Sequence, residues 1–377
     1  MLLGDYENLM VFSINNSEIV LLGQINQLNQ VSWQKQFVDA GEFEITVPVT
    51  EENKTLLKKE RIIWPGKESA GIIEIVDIEK SEDGERIFTV KGRTLESILE
   101  RRIINKTLMF KNEHISTILY DIVNTMCINP ENEDRIIPFL ECAVDEWLGP
   151  VVTMQKTGDN VLYTLNEICL RVEDIGFEIR FNPDQSKLIF KVYQASDRTV
   201  NQQTNPPVLF SDDTEDILAD AYYENMQGMK NIAYVFGEGT GGDRVVVEEG
   251  EVHSAGFDRF ELYVDARDLQ QNSDPDNPLS DEEYEEVLRS RGSENLGDAR
   301  LVQTYEGTLR LADNPQYVYG VDYNLGDKVT VEDEEIGVTV DATVSGITEV
   351  VSDTYTAQAL FGFGIPKLSR KIKKSLI

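Results

Sequence analysis

Cysteine is scarce in this chain of 377 residues: Cys127, Cys142 and Cys169 are all there is. The number is odd and the spacing fits no metal-ligand pattern. A disulfide framework is therefore not expected, and the three read as reduced, mostly packed thiols of a chain made in a reducing cytoplasm. Histidine is scarcer, with only His114 and His253, and neither has a nearby Cys or His to make a zinc signature. No run approaches the ~20 apolar residues that span a bilayer. The start, MLLGDYENLM, has no basic segment ahead of an apolar one, so neither a signal peptide nor stable membrane insertion is expected. Basic residues number 35 against 68 acidic ones, for a net charge of −33 and a pI near 4.4. Phosphate neutralisation needs clustered Lys and Arg, which excludes non-specific nucleic-acid binding as the business of the surface. Such an excess instead favours solubility.

What is present is a globular composition, 41% apolar, in a chain long enough for two or three domains. The stretch VSWQKQFVDAGEFEITVPVT, residues 31–50, reads as two strands around a corner at Gly41. Phe43, Ile45 and Val47 alternate with Glu42, Glu44 and Thr46, the period of a half-buried strand. Val31, Trp33 and Phe37 share one parity before the corner, and Pro48 stops ladder donation. Trp33 reads as a core residue beside Phe37 and Phe43, with a sugar-stacking platform as the alternative. Around this hairpin, MVFSIN, EIVLLGQI and IIEIVDIEKSEDGERIFTVKGR continue the pattern, the last with a turn at Ser81–Gly84. Short strands at this spacing suggest a small barrel or sandwich.

Three helices follow. TLESILERR, 94–102, has Thr94 as its cap. The second carries Ile115, Ile118, Leu119, Ile122, Val123 and Met126 at helical spacing, with Asn112 as its cap. The third runs from about Asp159 to Asp174, with Gly176 as its stop. Two strands then flank Asn182-Pro183-Asp184, so 106–200 reads as an α+β unit between two β-rich regions. Beyond NQQTNPP the strands resume, broken by a helix that Ser280 and Glu283 open with a capping box and Gly292 ends.

Few constellations carry chemistry. FGEGTGG, 236–242, contains G-x-G-x-x-G, but the glycines run into the strand-like DRVVVEEG and not into a helix that could receive a pyrophosphate, so a hairpin tip is expected. Asp274, Asp276, Asp281, Glu282 and Glu283 resemble a calcium loop, but Pro275 and Pro278 interrupt the alternation it needs; a solvated loop is expected, weak cation binding being the alternative. No Gly-x-Ser-x-Gly elbow occurs. Among 68 acidic residues no particular carboxylate pair stands out as a glycosidase couple. No catalytic, cofactor-binding or metal-binding residue is nominated, and no cofactor.

Several blocks in order resemble the tail hub (tail-tip or baseplate hub) proteins of long-tailed bacteriophages. They are VSWQKQFVDAGEFEITVP, KGRTLESILERRII at 91–104, NIAYVFGEGTGGDRVVV at 231–247, FDRFELYVDARDL at 257–269, YGVDYNLGDKVTV at 319–331, and FGFGIP. The resemblance implies a mainly β, α+β fold with two small β-barrel domains flanking an inserted α+β domain. The expected borders are 1–105, 106–205 and 206–377, with a helical insertion near 267–300 and strands near 206–265 available to complete the first barrel. It implies a homotrimer at the virion tail tip, whose six barrels match the sixfold tail. The ring closes the distal end of the tube, anchors receptor-binding or penetrating parts, and opens for DNA. Its implied partners are the distal tail or tail-tube protein, the tape-measure protein, and tail fibre or receptor-binding proteins. DNA is met only in passing, through a channel that the acidic excess would make repulsive to phosphates.

Many hubs carry a C-terminal hydrolase or fibre, and this sequence ends at Ile377, so no enzymatic role is expected. The basic end, with Lys367, Arg370, Lys371, Lys373 and Lys374, is a candidate for docking on an acidic neighbour, and a frayed soluble end is the alternative. The alternatives to a hub are a tail-associated cell-wall hydrolase and a host glycan-binding module.

Overall fold

The computed structural model describes residue 6 and residues 9–66, 69–80, 86–172, 174–211, 217–272, 278–309, 316–334, 337–352 and 354–362. The Ser81–Gly84 turn, Asp274, Asp276 and the basic end lie outside the described residues. The chain opens with β1 (Met10–Ile14), β2 (Ile19–Gln24), β3 (Gln30–Gln36), β4 (Glu42–Pro48), a short α1 (Glu51–Leu56), β5 (Arg61–Trp64), β6 (Gly71–Lys80) and β7 (Arg86–Thr94). A middle portion holds β8 (Ile103–His114), α2 (Ile115–Val123), β9 (Leu140–Cys142), β10 (Val151–Asn160), α3 (Val161–Val172), β11 (Ile175–Asn182) and β12 (Lys187–Gln194). The remainder holds β13 (Leu209–Ser211), β14 (Ile217–Asn225), β15 (Ile232–Phe236), β16 (Val246–Gly250), β17 (Glu261–Asp265), α4 (Asp281–Asp298), β18 (Val302–Leu309), β19 (Lys328–Asp333), β20 (Val338–Val351) and β21 (Tyr355–Phe361). The fold is mainly β, with helices packed on the sheets.

The opening hairpin forms as its alternation dictates. β3 and β4 pair antiparallel, with Trp33 opposite Phe43. Their rings stack at 4.8 Å and 12°. Val31, Trp33, Phe43, Ile45 and Val47 are buried in one core with Ile63, Ile73, Phe88 and Val90. Phe37 does not join them. β3 ends at Gln36, and Phe37 turns into the core of the middle portion, beside Tyr193.

The two β-rich regions are not separate. Thirteen strands form one sheet, whose main path runs β14-β18-β21-β20-β3-β4-β7-β6-β5-β1-β2, with β19 on β20 and β13 on β19. The join is β3 with β20, from Val31 opposite Val351 to Gln36 opposite Gly346. Strand order ends at β2 and β14, so the sheet stays open where closed barrels were expected. Alternation alone fixes which face is buried, and it leaves open whether the last strand meets the first. Each half encloses its own core, the second built on Phe210, Tyr305, Tyr323, Val329 and Phe361. The middle portion forms the largest core, from α2, α3, β11 and β12. A three-stranded sheet, β16-β15-β17, packs under α4.

Helix termini depart from expectation. Residues 95–101 form a 3-10 helix, and Thr94 spends its hydroxyl on the Gly41 N–H at 2.8 Å. Asn112 is no cap: it lies in β8 at φ +52°, and α2 starts after His114, whose side chain makes no cap bond. Gly176 is no stop either. It lies inside β11, where a Cβ would come within 2.4 Å of the Phe37 ring. α4 runs on through Gly292 to Asp298; the glycine is there not as a stop but because the helix presses on Val235 and Glu249 and leaves no room for a side chain. The Ser280–Glu283 capping box forms as expected.

Candidate assembly surface

Eight strands, β14-β18-β21-β20-β3-β4-β7-β6, lie side by side across the join. Since side chains alternate, one face of this run is the two cores and the other presents the intervening residues. On that outer face β3 offers Ser32, Gln34 and Gln36, β4 offers Glu42, Glu44 and Thr46, and β20 offers Thr348 opposite Gln34. The carboxylates there are matched. Lys91 meets Glu44 at 2.7 Å, and Arg93 bridges Glu74 at 2.8 Å and Glu100 at 2.7 Å. Hydroxyls, amides and paired charges make this face, not a wall of unpaired carboxylates.

The run has two outward edges among the described residues. β5 reaches only the start of β6, pairing Ile62 with Ile72 and Ile63 with Gly71. The outer part of β6 therefore bonds to β7 alone. That arm exposes Ile75 (54%), Val76 (37%), Ile78 (43%) and, from β7, Ile87 (43%), beside the buried Phe88 and Val90. At the other end β14 pairs only with β18 and shows Tyr223 to solvent, with Met226 exposed just beyond it. Unpaired strand edges with apolar side chains invite another strand.

The join is held by polar groups as well as by the ladder. Glu349 of β20 accepts from the Tyr6 hydroxyl at 2.8 Å and the Tyr355 hydroxyl at 2.7 Å, and lies 3.4 Å from the Lys35 ammonium. Burial pushes its carboxyl up, but Lys35 and the two hydroxyls outweigh burial and hold it below the usual range. Lys35 also lies 5.4 Å from the Tyr319 ring centre. Beside this cluster both sheet halves and the middle portion line a cavity of about 750 Å³. Glu96, from the 3-10 turn, lies in its wall and accepts the Ile179 N–H at 2.7 Å. Burial pushes the Glu96 carboxyl up to about 7, against the hydrogen bonds it accepts.

The residues singled out in the sequence are scattered. His114 Nδ1 sits 2.9 Å from the Gly149 carbonyl, and His253 is exposed in a turn. The FGEGTGG glycines link β15 to β16, and Gly237 is small because a Cβ would meet the Tyr284 hydroxyl at 2.6 Å. Asp281, Glu282 and Glu283 form the first turn of α4, where Glu283 accepts the Ser280 N–H at 2.8 Å. Cys127 and Cys169 are buried and Cys142 half-buried, all free; burial pushes the Cys127 and Cys142 thiols up to about 12. Among the described residues no group of three or more His, Cys, Asp or Glu is placed to hold a metal, and no helix is long and apolar enough to cross a membrane. The join, the cavity and the free edges have no local signature in the sequence. The one available hint was the apolar run IIEIVDI with apolar residues at both parities.

The architecture is that of phage tail proteins. Three solved structures share it: a tail protein from Neisseria meningitidis MC58 (13% identity, TM-score 0.54, covering 94% of this chain and 96% of that one), prophage tail protein gp18 from Listeria monocytogenes EGD-e (9%, 0.53, 98% and 99%), and the 43 kDa tail protein of prophage MuSo2 from Shewanella oneidensis (13%, 0.52, 94% and 98%). No curated protein matches the chain in sequence. Residues 9–364 match the model of the siphovirus ReqiPepy6 Gp37-like proteins, and the chain belongs to that family.

Proposed function

We propose that this siphovirus protein is a structural component of the virion tail, a homotrimeric hub at the distal end of the tail tube. The single observation that supports it most is the eight-strand run, which among the described residues leaves the outer part of β6 unpaired on its outward side at one end and β14 likewise at the other. Two different edges on one subunit make a head-to-tail contact, and a head-to-tail contact that closes gives a ring. In a ring the β6–β7 arm of one copy lies against β14 of the next, covering Ile75, Val76, Ile78 and Ile87. On this reading each sheet half, with its own core, takes the place of one of the paired repeats that the resemblance implies, so three copies present six to a sixfold tube. The outer face of the run then lines the axis. Its hydroxyls, amides and self-paired charges offer passing DNA no basic foothold. Tail-tube, tape-measure and receptor-binding proteins are the proposed neighbours.

Native mass spectrometry of the full chain tests the reading. A trimer is expected, and replacing Ile75 and Ile78 together by Glu is expected to give folded monomers. A parent chain that stays monomeric at every concentration and with its tail neighbours contradicts it.

A further inference from the structure

The β16-β15-β17 sheet has two dissimilar faces. Val235, Val247 and Val264 turn toward α4 and are buried. On the opposite face Glu248, Tyr234 and Tyr263 form one cross-strand row, and Val246, Phe236 and Asp265 the next. This face is open: Tyr263 is 61% exposed and Val246 44%.

Two arginines fix it. Arg244 lies 5.3 Å from the centre of the Phe236 ring, donates to Asp265 Oδ1 at 2.8 Å and to the Tyr263 hydroxyl at 3.3 Å, and is tied back to the Gly237 carbonyl at 2.9 Å. Arg259 lies 5.7 Å from the Tyr234 ring centre, donates to its hydroxyl at 2.6 Å, and pairs with Glu261 at 2.7 Å and Glu248 at 3.7 Å. The Tyr263 ring rests on Phe236 with centroids 5.0 Å apart. Arg267, with Arg244, holds the Asp265 carboxyl down to about 2, so it accepts at any ordinary pH. Rings, fork donors and carboxylate acceptors are thus set before any ligand arrives, which lowers the ordering cost of binding.

The mixture selects the ligand. A phosphate or nucleic acid meets Glu248, Glu261 and Asp265 and is repelled. An apolar protein surface would have to desolvate the same carboxylates and both guanidiniums. A neutral polyol with one C–H face suits both parts: the C–H face lies on a ring, and vicinal hydroxyls donate to carboxylates and accept from guanidiniums. We propose that this outward face is a binding site for neutral saccharides, with Tyr263 as the stacking platform and Arg244 and Asp265 as the hydroxyl partners. The site goes beyond the hub role and does not depend on it.

Saturation-transfer NMR on the full chain tests it, with methyl glucoside, methyl galactoside, rhamnose, N-acetylglucosamine and its tetramer as neutral probes and heparin as the anionic one. Transfer to the ring C–H protons of at least one neutral probe is expected. Tyr263→Ala and Tyr263→Leu are each expected to weaken it about tenfold, and Tyr263→Phe to leave most of it. The exposed position should leave thermal unfolding of these variants unchanged, and Tyr263→Leu keeps the apolar bulk in case Tyr263→Ala disturbs the sheet. Oligomeric state is a separate readout and should not move. No transfer from any neutral probe at millimolar concentration, binding unaffected by Tyr263→Leu, or binding of heparin alone would overturn the proposal.

Discussion

Glu349 stands directly opposite Trp33 across the β3–β20 join, so one register position ties a residue near the start of the chain to one near its end. The Glu349 carboxylate gathers Lys35, Tyr6 and Tyr355 at that point. Glu349→Ala leaves a half-buried ammonium without its counter-charge. A loss of about 2–4 kcal/mol in urea unfolding is expected, and Glu349→Gln should lose less. A loss under about 0.5 kcal/mol, the scale of an ordinary surface change, would show that the cluster does not hold the join.

Trp33 is fully buried, stacked on Phe43, with its indole N–H donating to Ser69 Oγ at 3.3 Å. Trp33→Ala is expected to cost about 3–5 kcal/mol through lost transfer energy and a residual cavity. Phe37 belongs to a different core, so the costs of Trp33→Ala and Phe37→Leu are expected to add within about 0.5 kcal/mol. A double-mutant cycle checks this; strong coupling would mean that the two cores act as one.

Glu96 gives the fold a pH dependence of known sign. Its folded carboxyl, pushed up to about 7, stands above the ordinary 4.5. The protonated form is therefore favoured by folding. That contribution is complete below about pH 4.5 and is lost as pH rises through about 7. The span corresponds to about 3 kcal/mol at most. Glu96→Gln keeps an acceptor for the Ile179 N–H and removes the ionisation. It should lie nearest the parent at pH 5 and exceed it in stability increasingly towards pH 8, by chemical denaturation. Parallel pH profiles would contradict the assignment.

Two glycines of α4 make opposite predictions. At Gly292 a Cβ would lie 2.9 Å from both Glu249 Cβ and Val235 Cγ2, so Gly292→Ala is expected to destabilise despite its helix propensity. At Gly297 nothing lies within 4 Å, and Gly297→Ala is expected to stabilise, by about 0.5–1 kcal/mol. Thermal unfolding of the pair separates packing from propensity.

The same contrast explains what the sequence disclosed. Local rules wrote the opening hairpin, the α2 stripe from Ile115 to Val123 and the Ser280 capping box plainly, because each depends on residues a few positions apart. Gly292 misled because a glycine that stops a helix and one that lets a helix lie close to a sheet look alike until the neighbour is known. Asn112 misled because the strand β8 runs to His114, and only pairing with β10 reveals it. The pairing of β3 with β20 left no mark, since an alternating strand does not name its partner. Glu96 was hidden among 68 acidic residues, as burial belongs to the fold and not to the residue. Tyr263 lies on β17 and Arg244 in the turn before β16, and no spacing announced that they share a face.

The hub reading turns on where the chain sits in the particle. Electron cryo-microscopy of the intact virion tail is the direct measurement. The expected result is a threefold ring of this chain around the tube axis at the distal end, with β6 of each copy beside β14 of the next and the Ser32–Gln34–Thr348 face toward the axis. A tail tip without this chain, or copies of it attached singly away from the axis, would contradict that placement.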